Sequence, residues 1–187
     1  AELVRQVTLI TVLASMEREI AAIRKARRRD DDPVAATFFI TGVGRDRVNS
    51  CLAAIQEAGQ NPLAMLSMGY ATALKENMAP GDLVVTKSLY ATGNEASYET
   101  DPTLLAHALE VVQEFQSGRH HLVDSVTVCG VATSRAEKRL LAASTPASIA
   151  NMEDYWVAAW AHQRGIPYLS VRSVLDTLSQ DVPEFIS

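Results

Sequence analysis

An acidic residue follows the most clearly predicted strand of the sequence. Residues 168–174 are rich in apolar and β-forming side chains, which predicts a buried strand, and Asp176 comes directly after it. Ligands of open parallel sheets bind at the carboxyl ends of the strands, so Asp176 lies where a general acid would act. The alternative is a structural aspartate that caps the next turn. The position at the end of a strand favours the catalytic interpretation.

Two further acids belong to the helix predicted just before that strand. Asn151 is expected to cap this helix, and Glu153 and Asp154 fall in its first turn, where exposed N–H groups and the helix dipole favour carboxylates. For Glu153, a role at the helix dipole alone is the alternative to a functional role. Gly165 is predicted to end the helix. Arg172 lies inside the buried strand, where an unpaired charge is costly, and is therefore expected to pair with a carboxylate.

A glycine-containing turn and a pair of glutamates come earlier in the chain. Gly42 and Gly44 follow a predicted strand, but Arg47 replaces the third glycine of a dinucleotide-binding fingerprint. A tight turn, or a close approach of backbone N–H groups to a ligand, is therefore the better interpretation. Glu17 and Glu19 lie in the first turn of another predicted helix, and both are available for acid–base chemistry.

Predicted strands and helices alternate along the chain, which indicates one α/β domain over residues 1–187 with a mostly parallel or mixed central sheet. Residues 91–100 are polar and contain glycine, so they are expected to form a loop over the site. The predicted strands cover residues 7–12, 34–40, 63–67, 82–89, 122–129 and 168–174. Predicted helices begin at residues 15, 102, 134 and 151, and a further helix follows the turn at residues 41–47. Asp101 is expected to cap the helix at residue 102, and Ser134 and Glu137 are expected to form a capping box. The five predicted helices end near residues 29, 58, 116, 143 and 164.

Composition excludes several functional classes. The chain has 187 residues, 48% of them hydrophobic and 21% charged, which is typical of a globular domain. A net charge of −5 argues against a nucleic-acid surface. No apolar run is long enough to span a bilayer, and no signal peptide is visible at the start. Cys51 and Cys129 are isolated in apolar segments, which indicates a reducing, cytoplasmic compartment. The four histidines lack metal-ligand spacing, so no metal site is expected.

Several of these residues together resemble a known family. Met152-Glu153 opens a helix, Gly165-Ile166-Pro167 follows, and a strand ending in Val171-Arg172 has Asp176 four residues after the arginine. This pattern resembles the nucleoside phosphorylase superfamily, which includes purine nucleoside phosphorylases and methylthioadenosine/S-adenosylhomocysteine nucleosidases. Residues 67–85 resemble its glycine-rich stretch and the strand that follows. Residues 176–183 are most similar to the branch associated with hopanoid synthesis, which acts on an adenosyl-lipid.

The resemblance implies a three-layer αβα fold and cleavage of an N-ribosidic bond in a purine nucleoside or 5′-substituted adenosine, by water or by phosphate. It implies that Asp176 protonates the departing base and that Glu153, with Met152, holds the ribose. Glu19 matches the acid that activates the attacking water in the nucleosidases. In phosphorylases the same region serves phosphate. Arg18 is a candidate for that role here, but an exposed charge on the helix surface is the better interpretation of Arg18.

Other parts of the implied site depart from the family pattern. Relatives usually carry paired glycines where Thr72 and Ala73 stand, and no phosphate-holding serine or arginine is visible near Tyr70. Val131 and Ala132 occupy the floor of the base pocket, where many relatives have an aromatic residue, so a different or looser base environment is expected. The glycine-rich stretch, with Gly69, Tyr70 and Ala71, is expected to contact the base. The early turn, with Gly42 and Gly44, is expected to lie near the phosphate or nucleophile.

The resemblance implies no organic cofactor, with inorganic phosphate as a possible co-substrate, and a homo-oligomer of two or more subunits. Relatives continue with a helix over the site, so a truncated or unusually short end at Ser187 is expected. A nucleoside-binding relative with weak or no activity is the main alternative. The missing third glycine disfavours a dinucleotide-dependent oxidoreductase.

Overall fold

A computed structural model describes residues 8–26, 34–114, 118–130 and 134–181, and this part of the chain forms eight strands and five helices. The strands are β1 (Thr8–Ala14), β2 (Val34–Ile40), β3 (Ala64–Ala73), β4 (Leu83–Ala91), β5 (Tyr98–Glu99), β6 (His120–Thr127), β7 (Ile149–Asn151) and β8 (Tyr168–Asp176). The helices are α1 (Glu17–Ala26), α2 (Arg45–Glu57), α3 (Pro102–Glu114), α4 (Arg135–Ser144) and α5 (Asp154–Gln163).

All eight strands belong to one mixed sheet. The order is β2-β1-β3-β7-β6-β4-β5, and β8 pairs with both β3 and β4. Strand β3 runs parallel to β1 and β8 but antiparallel to β7, and β4 runs antiparallel to β8. Because β8 bridges β3 and β4 while β7 and β6 connect the same two strands, these five strands close into a ring. The ring brings the ends of β3 and β8 next to β7.

The helices cover both faces of the sheet. Side chains of α2 and α5 pack on Leu13, Met65 and Tyr168, whereas α1 and α3 pack on the residues that alternate with them, such as Val12 and Leu66. Successive residues of a strand point to opposite faces, so the two sets lie on opposite sides of the sheet. The predicted α/β fold with a mixed central sheet is confirmed.

Several predicted bounds change in the structure. Strand β2 covers the predicted residues, but β3 continues from the predicted strand through the glycine-containing stretch to Ala73, and β7 is an additional strand. Helix α5 begins at Asp154, three residues after the predicted cap. The predicted loop 91–100 contains β5, whose Tyr98 packs against Tyr155. The predicted first residue of β1 and the predicted ends of α1 and α3 lie outside the described residues.

The predicted starts of two helices are confirmed. Ser134 and Glu137 form the predicted capping box, and Asp101 accepts hydrogen bonds from the N–H groups of Thr103 and Leu104 at the start of α3. Within the four described ranges, the helices are too short or too polar to cross a bilayer.

Candidate active site

Three acids singled out in the sequence meet at one open cavity. Glu19 comes from the first turn of α1, Glu153 from the residue before α5, and Asp176 from the end of β8. Most of the remaining wall is apolar and consists of Met16, Val43, Ala71, Val128, Ala150, Met152 and Leu175. Widely separated parts of the chain therefore build a cavity that combines carboxylates with apolar surface.

A β-bulge aims the end of β8 into this cavity. In the pairing of β3 with β8, Ala71 lies opposite Val174 and Thr72 lies opposite Asp176, so Leu175 is an extra residue. Neighbouring residues of a regular strand point to opposite faces. Because the bulge interrupts this alternation, both Leu175 and Asp176 line the cavity.

Asp176 is almost completely buried and has two partners. Its Oδ1 accepts a hydrogen bond from Thr72 Oγ1 at 3.1 Å, and its Oδ2 forms an ion pair with the ammonium of Lys138. Lys138 lies in α4 and is fully buried. The sequence does not predict this pair, because a lysine one turn into a capped helix is usually exposed. The only signal is that Leu141, three residues later on the same helix face, is apolar.

Backbone donors from two elements orient Glu19. Its Oε2 accepts a hydrogen bond from the N–H of Met16 at 2.8 Å, and its Oε1 accepts one from the N–H of Tyr70 at 3.1 Å. Glu17, in contrast, is exposed and pairs with Arg24 at 2.6 Å. Of the two glutamates, Glu19 is therefore the one that the structure brings to the cavity.

The glycine-containing stretch supports Glu19 from behind. A Cβ atom on Gly69 would lie 2.6 Å from Glu19 Oε1 and 3.2 Å from Arg172 Nη1, so the absence of a side chain permits both groups to approach. Tyr70 and Ala71 line the cavity, whereas Gly69 lies beside it. Gly69 thus packs against Glu19 and does not line the cavity.

Glu153 is buried beside the cavity and carries three polar contacts. The N–H of Gly44 donates to its Oε1 at 3.2 Å, the N–H of Met152 donates to its Oε2 at 3.3 Å, and Arg172 Nη2 lies 3.5 Å from Oε2. Burial raises the pKa of the Glu153 carboxyl above its usual value, and the positive charge of Arg172 opposes this shift.

Arg172 joins three elements beneath the cavity. Its Nε and Nη2 donate to Asp154 at 2.8 and 2.6 Å, and its Nη1 donates to the carbonyl oxygen of Tyr70 at 2.8 Å. Burial alone would lower the pKa of Arg172, but the charge of Asp154 and its hydrogen bonds raise it. The expected pairing with a carboxylate is confirmed, and it fixes β8, β3 and the start of α5 relative to one another.

Asn151, the last residue of β7, holds the segment that leads into α5, although Glu153 and not Asn151 is the N-cap residue of the helix. Its Oδ1 accepts hydrogen bonds from the N–H groups of Glu153 and Asp154, both at 2.9 Å, and its Nδ2 donates to Ser125 Oγ at 2.6 Å. Thr127 Oγ1 accepts a hydrogen bond from the N–H of Tyr155 at 3.0 Å. This polar network is buried, and it holds the segment that carries Glu153 against the end of the sheet.

The early glycine turn lies at the Glu153 end of the site. The N–H of Gly44 is taken by Glu153, and an added Cβ on Gly44 would lie 3.9 Å from the methyl group of Met152. Gly42, at φ +76°, packs against the side chain of Arg47. Gly42 and Gly44 do not line the cavity, but Val43 between them does. The predicted base-pocket residues at positions 131 and 132 lie outside the described residues.

These features define an α/β protein with an enzyme-like site, and comparison with known proteins gives its family. The sequence matches the phosphorylase superfamily over residues 34–186, so the chain belongs to the phosphorylase superfamily. The resemblance to this superfamily that the sequence analysis describes is confirmed. The prediction that the protein is an enzyme acting on N-ribosyl bonds is confirmed as well. No curated protein sequence matches the chain.

Several solved structures share the fold of this chain. The 5′-methylthioadenosine/S-adenosylhomocysteine nucleosidase of Campylobacter jejuni is 18% identical, over 94% of this chain and 88% of that one, with a TM-score of 0.81. The Neisseria meningitidis nucleosidase of the same name, in complex with methylthio-immucillin-A, is 18% identical over 92% and 87%, with a TM-score of 0.80. The futalosine hydrolase of Helicobacter pylori is 20% identical over 91% and 85%, with a TM-score of 0.80. At these identities the likeness establishes the fold.

Proposed function

We propose that this protein hydrolyses the N-ribosidic bond of a purine nucleoside or a 5′-substituted adenosine. The observation that carries the proposal is the convergence of Glu19, Glu153 and Asp176 on one largely apolar cavity. Cleavage of such a bond needs an activated nucleophile, stabilisation of an oxocarbenium-like ribosyl group, and a proton for the leaving base. Three separately held carboxyl groups can divide these tasks.

Glu19 and Glu153 serve the ribosyl side of the reaction. Glu19 takes a proton from a water molecule while the water oxygen forms a bond to C1′. Glu153 accepts hydrogen bonds from the ribose hydroxyls, with Met152 against the sugar, and its negative charge stabilises the developing positive charge of the ring. Gly44 and Arg172 hold the Glu153 carboxylate in place during this step.

Asp176 serves the base side. As the bond from C1′ to the base nitrogen breaks, its electron pair remains on the base, and the Asp176 carboxyl donates a proton to a ring nitrogen. The apolar wall formed by Val128, Ala150 and Leu175 provides a surface for a planar base. The products are free base and ribose derivative, and the two carboxyl groups then exchange protons with solvent.

Water is favoured over phosphate as the nucleophile. None of the side chains that line the cavity in the described ranges is a lysine or an arginine, whereas three are acidic. A phosphate ion would meet repulsion from these carboxylates without a cation to offset it. Arg18, the candidate for phosphate, is exposed and does not line the cavity.

Release of the base from methylthioadenosine, S-adenosylhomocysteine, adenosine and futalosine, each with and without phosphate, tests the proposal. Glu19→Gln is expected to lower the rate by about 100-fold or more, as for loss of a general base. Glu17→Gln is the matched control, because Glu17 is an exposed acid in the same helical turn, and it should leave the rate unchanged. Release that requires phosphate would overturn the hydrolytic step. Absence of release from every nucleoside would overturn the proposed activity on these substrates.

A second candidate is a nucleoside-binding protein with little or no activity. The observation that favours it is that both oxygens of Asp176 already have partners, Thr72 and Lys138. Binding of adenine or methylthioadenosine without turnover, measured by calorimetry, would support this function.

We also propose that the protein is a homo-oligomer in which a second copy completes the open rim of the cavity near Val43, which is 47% exposed. Analytical ultracentrifugation of the protein tests this oligomeric state.

A further inference from the structure

The buried ammonium of Lys138 is the least expected group near the cavity. Lys138 has no exposed surface, and burying a lysine is costly unless its charge and its three N–H donors are satisfied. Here Nζ contacts Asp176 Oδ2 and donates to the carbonyl oxygen of Gln180 at 2.7 Å, with the carbonyl oxygen of Thr177 at 3.4 Å. The ammonium therefore ties the carboxyl group to the turn that follows β8.

The position of Lys138 is built into α4. The capping box at Ser134 fixes the start of the helix, and Leu141 packs with Leu178 of the turn in a common apolar cluster. The N–H of Arg135 donates to Asp181 Oδ1 at 3.3 Å, which is a second link between α4 and the end of the turn. Helix α4 and the turn after β8 therefore form one packed unit around the ammonium.

We propose that Lys138 is a positioning residue that acts on the reaction through Asp176. It holds the carboxyl group toward the base and supplies the positive charge that stabilises the carboxylate left after the proton has moved to the base. This inference rests on the proposed function, in which Asp176 is the proton donor. No bond to Lys138 forms or breaks.

The charged surroundings of Asp176 give the sign of the expected pH effect. Lys138 faces it from α4, the neutral hydroxyl of Thr72 faces it from β3, and the carboxyl groups of Glu19 and Glu153 lie elsewhere on the same cavity wall. A cation in contact favours the ionised form of a carboxyl group, and nearby carboxylates favour the protonated form. Removing Lys138 takes away the cation but leaves the nearby carboxylates and the hydrogen bond from Thr72 unchanged, so Asp176 should keep its proton to higher pH.

The test compares pH–rate profiles of kcat and kcat/KM for the wild type, Lys138→Met and two matched controls. In Lys138→Met, the alkaline limb that Asp176→Asn abolishes should move to higher pH by about one unit or more. The limiting kcat should fall about tenfold or more, because the donor becomes a weaker acid. Arg139→Met removes an exposed cation from the same helix, and Leu141→Ala loosens α4 without contact to Asp176. In both controls the alkaline limb of the pH–rate profile should stay at the same pH as in the wild type.

Further measurements separate the possible failures. Lys138→Arg keeps the charge, so its limb should stay within about half a unit of the wild type even where kcat falls. This variant also decides the matter if Lys138→Met does not fold. A Lys138→Met profile that superimposes on the wild type after scaling would overturn the positioning role. If the wild type releases no base, the proposed function fails. The ¹³C carboxyl titration of Asp176 in the wild type and Lys138→Met then decides whether Lys138 controls this carboxyl.

Discussion

Replacing Lys138 with methionine is expected to destabilise the fold strongly, because Asp176 then remains as a buried carboxylate without a counter-charge. Lys138 is 0% exposed and Asp176 is 2% exposed. Removing one partner of a buried ion pair costs about 3–5 kcal/mol, whereas replacing both with neutral residues of similar volume is often close to neutral. The carbonyl oxygens of Thr177 and Gln180 also lose a donor, which adds to the cost.

A double-mutant cycle isolates the interaction between the two side chains. Asp176→Asn leaves the ammonium without its counter-charge and should also be destabilising. The double variant removes both charges and is expected to be more stable than the sum of the single effects by at least about 2 kcal/mol. In a chain of this length each kcal/mol corresponds to a change of about 2–4 °C in Tm. Lys138→Met should therefore melt roughly 6–20 °C below the wild type.

Urea unfolding, followed by the fluorescence of the two tryptophans, gives the free energies of unfolding of the wild type, the two single variants and the double variant. The comparison requires that the four proteins have the same m value. Arg139→Met is the control for loss of a cation from α4, and at this exposed position it should change stability by no more than about 0.5 kcal/mol. Additive single effects would refute the reasoning. So would a Lys138→Met variant as stable as Arg139→Met, because neither result is compatible with an isolated buried charge.

Two other substitutions separate the stability of the site from its activity. Burial raises the pKa of Glu153, so the stability that this group contributes is present at acidic pH and is lost as pH rises through the raised value. Glu153→Gln should therefore lose activity, yet its Tm at pH 7 should be at least as high as that of the wild type. Any gain in Tm should disappear below about pH 4. A Tm deficit of the same size at every pH would contradict this, and Glu76→Gln, at an exposed site, is the control. Gly69→Ala should displace the Glu19 carboxylate and lower kcat by about 100-fold, with Gly118→Ala as the control; unchanged kinetics would show that Glu19 is not held through this contact.

Elements with a complete local signal could be predicted from the sequence. The apolar run of β2 and the capping box of α4 lie within a few consecutive residues, and the structure reproduces both. The predicted strand 168–174 lies within β8, which continues two residues further to Asp176. The sequence patterns that predict these features each lie within a few consecutive residues, so no knowledge of distant residues is needed.

Other parts of the site depend on contacts between distant residues. Gly69 belongs to the glycine-rich stretch that the sequence places near the base, but in the structure it lies in β3 against Glu19, 50 residues earlier in the sequence. The three residues of β7 are too few to give a periodic pattern, and their strand conformation depends on pairing with β3 and β6. The pair between Lys138 and Asp176 joins residues 38 positions apart, so neither residue alone predicts the other.

The charges around the cavity affect both the nucleophile and the transition state of the proposed reaction. When all are ionised, the acids outnumber the cations by two: the acids are Glu19, Glu153, Asp154 and Asp176, and the cations are Lys138 and Arg172. Both cations pair with carboxylates, and neither lines the cavity, so the surface offered to a ligand is negative. In the proposed reaction, a ribosyl group that gains positive charge is attracted to this surface as the bond breaks, whereas a phosphate ion is repelled. The charges that stabilise the proposed transition state therefore also favour water over phosphate as the proposed nucleophile.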